Sequence, residues 1–166
     1  MDRAYLAIGS NRGDRHANCR RALAALRKVE GLRLIRVSAV YETEPQGPPQ
    51  PDFYNLAAVG ETTLSPEALL EQLKRIEREL GRTPAERFGP REIDLDLLLQ
   101  DDQVIERPDL QLPHPRLHLR RFVLAPLCEI APEARHPVLA RTMAELLSDL
   151  GQGGGRVRRI EGSADS

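Results

Sequence analysis

The sequence contains no tryptophan and only six aromatic residues in all, three phenylalanines and three tyrosines. A sheet that binds single-stranded RNA needs rings in the middle of its strands and a basic face. The scarcity of rings and the net charge of −1 point away from nucleic acid as a partner. Cysteine is scarce too. Cys19 and Cys128 are too few for a disulfide framework and read as small apolar residues suited to a reducing compartment. No apolar run approaches the ~20 residues that span a bilayer. Met1 to Gly13 carries no basic leader ahead of a long apolar stretch, so no membrane partner is expected and the expected location is the cytoplasm. Lysine is almost missing: Lys28 and Lys74 stand beside 22 arginines. Arginine presents a planar fork of donors that fits phosphate and carboxylate, so where the arginines fall matters more than their number.

What is present fits one domain over residues 1–160, with a disordered tail at 161–166. Arg3 to Ser10 reads as a buried strand, followed by a turn and by Asp14 as a cap for a helix over Arg15 to Val29. Cys19, Ala22, Leu23 and Leu26 form its apolar stripe. Leu32 to Thr43 reads as one long strand whose inner face is Ile35, Val37, Ala39 and Tyr41. Glu44 to Asp52, with four prolines, is a loop. Phe53 to Leu64 is a strand. Ser65-Pro66-Glu67 starts a helix that Gly81 stops. Arg82 to Glu92 is a second loop. Ile93 to Gln100 is a strand that Asp101-Asp102 turns into a short partner near Val104 and Ile105. Arg121 to Ile130 and Thr142 to Leu150 read as helices, Gln152 to Gly155 as a link, and Arg156 to Ile160 as an edge strand. The expected class is α+β: a ferredoxin-like βαββαβ antiparallel sheet with helices packed on it, C-terminal helices and a short edge strand. That fold selects no function by itself.

The chemistry concentrates in Ile93-Asp94-Leu95-Asp96-Leu97-Leu98-Leu99. Alternation places Asp94 and Asp96 on one face, roughly 6.5–7 Å apart along the strand. Two neighbouring acids repel, and aspartate is a poor strand former. Divalent cations remove that penalty, and magnesium takes one or two carboxylates plus substrate phosphates. The competing reading is a solvent-facing strand with two outward acids. Arg82, Arg87 and Arg91 lie just before the strand, and Arg116, Arg120 and Arg121 follow it near His114. They can meet the outer charges of a polyphosphate, or simply pair with Glu77, Glu79, Glu86 and Glu92. Lys74 has the same two readings. There is no phosphate-binding P-loop and no dinucleotide glycine fingerprint. Phe53, Phe88 and Phe122 lie in or beside irregular segments and can stack on a flat heteroaromatic ligand. Asn55 shares a strand face with Phe53, and its amide suits a ring bearing amide and amine edges.

Arg87-Phe88-Gly89-Pro90-Arg91-Glu92-Ile93-Asp94-Leu95-Asp96-Leu97-Leu98 resembles the signature of the 6-hydroxymethyl-7,8-dihydropterin pyrophosphokinase family. Ala7 to Asn11, Val40 to Thr43, Phe53 to Asn55, Leu112 to Arg116 and Ala125 to Pro132 agree in the same order. The resemblance implies an ATP-dependent diphosphokinase of folate biosynthesis, acting as a monomer with two Mg2+ ions. It implies that Asp94 and Asp96 hold the metal. Thr43, Asn55 and the main chain near Glu44 and Gln46 would meet the pterin edge, and Phe53 and Phe122 would sandwich it. Lys74, Glu77, Leu97, Gln111 and His114 would contact ATP. Arg82, Arg87, Arg91 and Arg120 would contact its phosphates, with Arg82 and Arg91 in the catalytic group, and Phe88 would close over the site. The chain departs from the family at Phe88, where tryptophan is usual, at Pro115, where some members have tyrosine, and in the shorter Thr83-Pro84-Ala85-Glu86 stretch. Two other readings are a regulatory small-molecule-binding module of the same shape and an RNA-binding domain.

Overall fold

The computed structural model describes residues 1–45, 49–81, 92–151, 153 and 155–160. The first strand is β1 (Asp2–Ser10) and the first helix α1 (Arg15–Arg27). The Asp14 carboxylate accepts the Ala17 N–H at 3.0 Å, satisfying one of the donors that every helix start leaves open. Cys19, Ala22, Leu23 and Leu26 are buried as one stripe. Gly31, at φ +90°, then reverses the chain into β2 (Leu32–Val37). Strand β3 is Tyr41–Thr43 and β4 is Phe53–Thr62. Helix α2 (Pro66–Glu79) starts where the sequence placed it, with Ser65 Oγ accepting the Ala68 N–H at 3.2 Å. The remaining elements are β5 (Asp94–Gln100), β6 (Ile105–Arg107), β7 (Leu110–Leu112), α3 (Arg121–Ile130), α4 (Met143–Leu150) and β8 (Val157–Arg159).

The main sheet runs β5-β1-β4-β3-β8, with β2 also on β4, and each of these pairs is antiparallel. The β5-β1-β4-β2 order with two crossing helices is the expected ferredoxin-like arrangement. Leu6, Ile8, Leu56, Ala58, Leu95 and Leu97 pack with α1 and α2 on one face. Ala57, Val59 and Leu99 pack with α3 and α4 on the other. The C-terminal helices therefore make a third layer, which is why six successive residues of β4 are buried.

Three expectations change. The strand expected over Leu32 to Thr43 is two strands. Its register on β4 slips between Leu34 and Arg36, and the chain leaves the ladder at Ser38–Val40. Ser38 bridges the break: its N–H donates to Ala57 O and its Oγ accepts from Ala57 N, both at 2.9 Å. The slip also dissolves the single inner face, since Ile35 packs toward α3 and Val37 toward α1. Finally, the segment after Asp101-Asp102 does not pair with β5. It forms β6, whose partner is β7, in a separate two-stranded sheet. The loop expectation over Arg82 to Arg91 and the tail at 161–166 lie outside the described residues.

Candidate functional site

The site grows from three neighbouring strands. Asp94 pairs with Gly9 and Asp96 with Ala7 across β5-β1, and Gly9 and Ala7 pair with Asn55 and Ala57 across β1-β4. Directly opposed residues share a face, so Asp94, Gly9 and Asn55 form one row and Asp96, Ala7 and Ala57 the next. Both rows lie on the face that α3 covers. The residues between the acids and Asn55 are small, and they leave a trough. At Gly9 the fit is close: a Cβ there would lie 2.6 Å from Asn55 Oδ1 and 3.5 Å from Phe53 Cδ1. The Asn55 amide is thus laid over bare backbone, and its Nδ2 donates to Thr43 Oγ1 at 2.6 Å. Both Asn55 and Thr43 are buried, so this amide edge is held in one orientation. The expected partners Asp94, Asp96, Thr43, Phe53 and Asn55 are therefore brought together.

Arg120 immediately precedes α3. Burial lowers its pKa while the charges of Asp96 and Asp94 raise it, which puts the guanidinium within electrostatic reach of both. Its Cζ stands 5.4 Å from the Phe122 ring centroid. Arg120 Nε is buried with no hydrogen-bond partner among the described residues. A buried donor left open in this way is costly unless an anion or water meets it. Two hard carboxylates beside an arginine with an open donor are the donor set that magnesium and a polyphosphate require. The residues present therefore fit the metal, even though no group of three or more potential ligands occurs among the described residues.

His114 joins the same side. Its N–H donates to Leu98 O at 2.9 Å, tying it to β5, and its Nδ1 accepts the Arg116 N–H at 3.1 Å. That acceptor role leaves the proton on Nε2, a neutral donor for a ligand oxygen. Burial, then the charges of Arg120 and Arg116, push its pKa down to about 4. The folded state therefore binds this proton less readily than the unfolded chain does. The stability gained is complete above the unfolded value of ~6.5 and is lost as pH falls toward 4, by up to about 3 kcal/mol. Urea midpoints measured from pH 7 to pH 4 should fall more steeply for the native chain than for His114→Gln. Parallel curves would remove the histidine from this account.

Other expected residues sit differently. Glu77 is buried at 3% exposure, and its Oε2 accepts the Leu95 N–H at 2.8 Å. It grips the backbone between the two acids. The Leu97 side chain is buried on the α1–α2 side, so only its main chain remains for a ligand. Lys74 and Gln111 are exposed on α2 and β7. Gln46, Arg82, Arg87, Phe88 and Arg91 lie outside the described residues. Sequence reasoning gave no role to Gly9, although a glycine inside an apolar strand is itself a sign of close approach. It also missed Asn11, whose Nδ2 donates to Gln50 Oε1 at 2.8 Å and Pro51 O at 3.0 Å, pinning the end of the proline-rich segment.

Residues 5–132 match the family described as 7,8-dihydro-6-hydroxymethylpterin-pyrophosphokinase. The chain is 47% identical over 131 residues to the 2-amino-4-hydroxy-6-hydroxymethyldihydropteridine pyrophosphokinase of Bacillus subtilis, covering 78% of each. It is 41% identical over 149 residues to the protein of the same name from Pseudomonas aeruginosa, covering 89% of this chain and 91% of that one. Among solved structures it resembles wild-type Plasmodium falciparum HPPK-DHPS with a TM-score of 0.70 at 18% identity. That likeness covers 89% of this chain and 44% of the Plasmodium chain, and it concerns the fold alone. The chain belongs to the 7,8-dihydro-6-hydroxymethylpterin-pyrophosphokinase family.

Proposed function

We propose that the chain transfers diphosphate from ATP to the hydroxymethyl group of 6-hydroxymethyl-7,8-dihydropterin, giving AMP and the pterin diphosphate, a step of folate biosynthesis. The observation that carries this reading is the trough itself: a fixed amide edge at Asn55 and Thr43 lies one row of small residues from Asp94 and Asp96. Such an edge suits a flat ring with amide and amine groups, and the acids suit a magnesium-bound triphosphate. In this reading Asp94 and Asp96 hold two Mg2+ ions, which when bound neutralise phosphate charge and make the alcohol more acidic. Phe53 and Phe122 flank the pterin. Arg120 and the His114 Nε2–H meet phosphate or ribose oxygens. No side chain has to act as a strong base, because positioning and charge complementarity dominate phosphoryl transfer. The proposed working form is a monomer. No helix among the described residues is long and apolar enough to cross a membrane, and the proposed location is the cytoplasm.

Mixing the purified chain with ATP, magnesium and the hydroxymethyl dihydropterin should release AMP in step with pterin diphosphate, and chelation of the metal should stop it. ADP as the sole nucleotide product would overturn the reading.

A further inference from the structure

The family match ends at residue 132, yet the chain returns to the site after it. Strand β8 lies along β3 with Val157 opposite Thr43, Arg158 opposite Glu42 and Arg159 opposite Tyr41. Just before it, Arg156 exchanges main-chain and side-chain bonds with Glu44. The Glu44 N–H donates to Arg156 O at 3.2 Å, and the Arg156 N–H donates to Glu44 Oε1 at 2.7 Å. Gly155, at φ +93°, makes the turn that allows this; a Cβ there would already be 3.4 Å from the same carboxylate oxygen. The Arg156 side chain reaches the opposite way. Its Nη2 donates to Asp52 Oδ2 at 3.0 Å. One residue thus holds both ends of the proline-rich segment, Glu44 next to Thr43 and Asp52 next to Phe53.

The Asp52 end has a second anchor. Arg15 Nη1 donates to Asp52 O at 2.7 Å, and the Arg15 guanidinium carbon lies 4.1 Å above the Tyr54 ring. Glu42 takes Arg158 at 2.7 Å and Arg15 at 3.6 Å, and the Arg158 hydrogen bond holds its carboxyl below the usual range. Charges from α1, β3 and β8 therefore gather at the Glu42–Tyr54 pair, next along the strands to the Thr43–Phe53 pair and on the other face of the sheet.

We infer that Arg156 is a positioning residue for the pterin half of the reaction: it sets the spacing between Glu44 and Asp52 and so fixes Thr43 and Phe53 around the substrate ring. This rests on the pterin reading above. It also assigns the Glu44 carboxylate and N–H to the Arg156 main chain, leaving the Glu44 carbonyl as its contribution to the pterin edge. The Arg156–Asp52 pair is partly solvated, with the Arg156 side chain 69% exposed, so its effect is moderate. It acts on substrate affinity and not on Asp94 and Asp96, which lie on the far side of β1.

The test is a cycle of Arg156→Ala, Asp52→Asn, the double variant and Arg156→Lys in the full chain. Each is assayed for KM of the pterin, KM of ATP and kcat, with hydrogen exchange of the amides at residues 41–45 and 53–55 read in parallel. Arg156→Ala and Asp52→Asn should each raise the pterin KM about threefold to fivefold, with kcat and the ATP KM within twofold. The double variant should be no worse than either single one, Arg156→Lys should recover part of the loss, and exchange should quicken at both segments. Additive effects in the double variant, an unchanged pterin KM, or equal losses in kcat and both KM values would overturn the inference. A native chain that makes no AMP would instead overturn the proposed function; the exchange comparison then still decides whether Arg156 holds the two segments together.

Discussion

Asp96→Asn should slow diphosphate transfer by at least about a thousandfold, because charge neutralisation at a metal site is worth several kcal/mol and each 1.36 kcal/mol is a factor of ten. The amide keeps the shape of the carboxylate and loses its charge, so the variant separates metal binding from packing. Asp96 is half-buried on the α3 side of β5, while its neighbours Leu95 and Leu97 carry the apolar contacts with α1 and α2. The fold should therefore survive, with a melting temperature within a few degrees of the native one. Removing one of two adjacent acids also relieves their mutual repulsion, which offsets part of what Arg120 loses. Release of AMP under saturating magnesium measures the first effect, and thermal unfolding the second. A variant that retains more than a tenth of the native kcat would mean that Asp96 does not hold metal. A variant that fails to fold would mean that the acid is structural.

Glu77→Leu should damage both stability and rate. The side chain reaches from the last turns of α2 to accept the Leu95 N–H, between the two acids. Leucine fills the space and removes the acceptor, stranding a buried donor at about 1–3 kcal/mol. For a chain of this length that corresponds to a fall of roughly 3–10 °C in melting temperature. Groups that orient metal ligands without touching the metal typically contribute 10–100-fold to activity, and a loss of that size is expected here. Glu77→Gln keeps an oxygen at the same place and should retain most of the stability. Equal melting temperatures and rates for the native chain and the leucine variant would show that Asp94 and Asp96 are aligned without it.

Much of this was legible in the residues because it is local. Asp14 and Ser65 announce helix starts through side chains that bond three residues ahead, and each does so. Alternation separates the acids from Ile93, Leu95 and Leu97, as a strand's two-residue period requires. The expectation that Leu99 shares their face fails, because the register on β1 slips opposite Tyr5 and Leu6 and turns Leu99 to the face of α3 and α4. What stayed hidden depends on where elements dock. The break at Ser38–Val40 follows from a slipped register on β4, which no property of residues 32–43 by themselves dictates. The place of Glu77 depends on α2 lying along the outer side of β5. Arg156 finds Asp52 across 104 positions, and in a chain with 22 arginines nothing local distinguishes that one from the rest. Gly9 is the intermediate case: an isolated glycine in a strand signals close approach, but only the pairing with Asn55 shows what approaches.

The two bonds that fasten β5 from outside also bear on how copies of the protein meet. Leu95 offers its amide to Glu77 and Leu98 its carbonyl to His114, so two of the backbone groups on the rim of the sheet beside the acids are already taken and cannot recruit a stranger's backbone. Exposed rims are where proteins zip into filaments. Here the residues that steady the acids also shield that rim, and a substitution that loosens them would endanger solubility along with turnover.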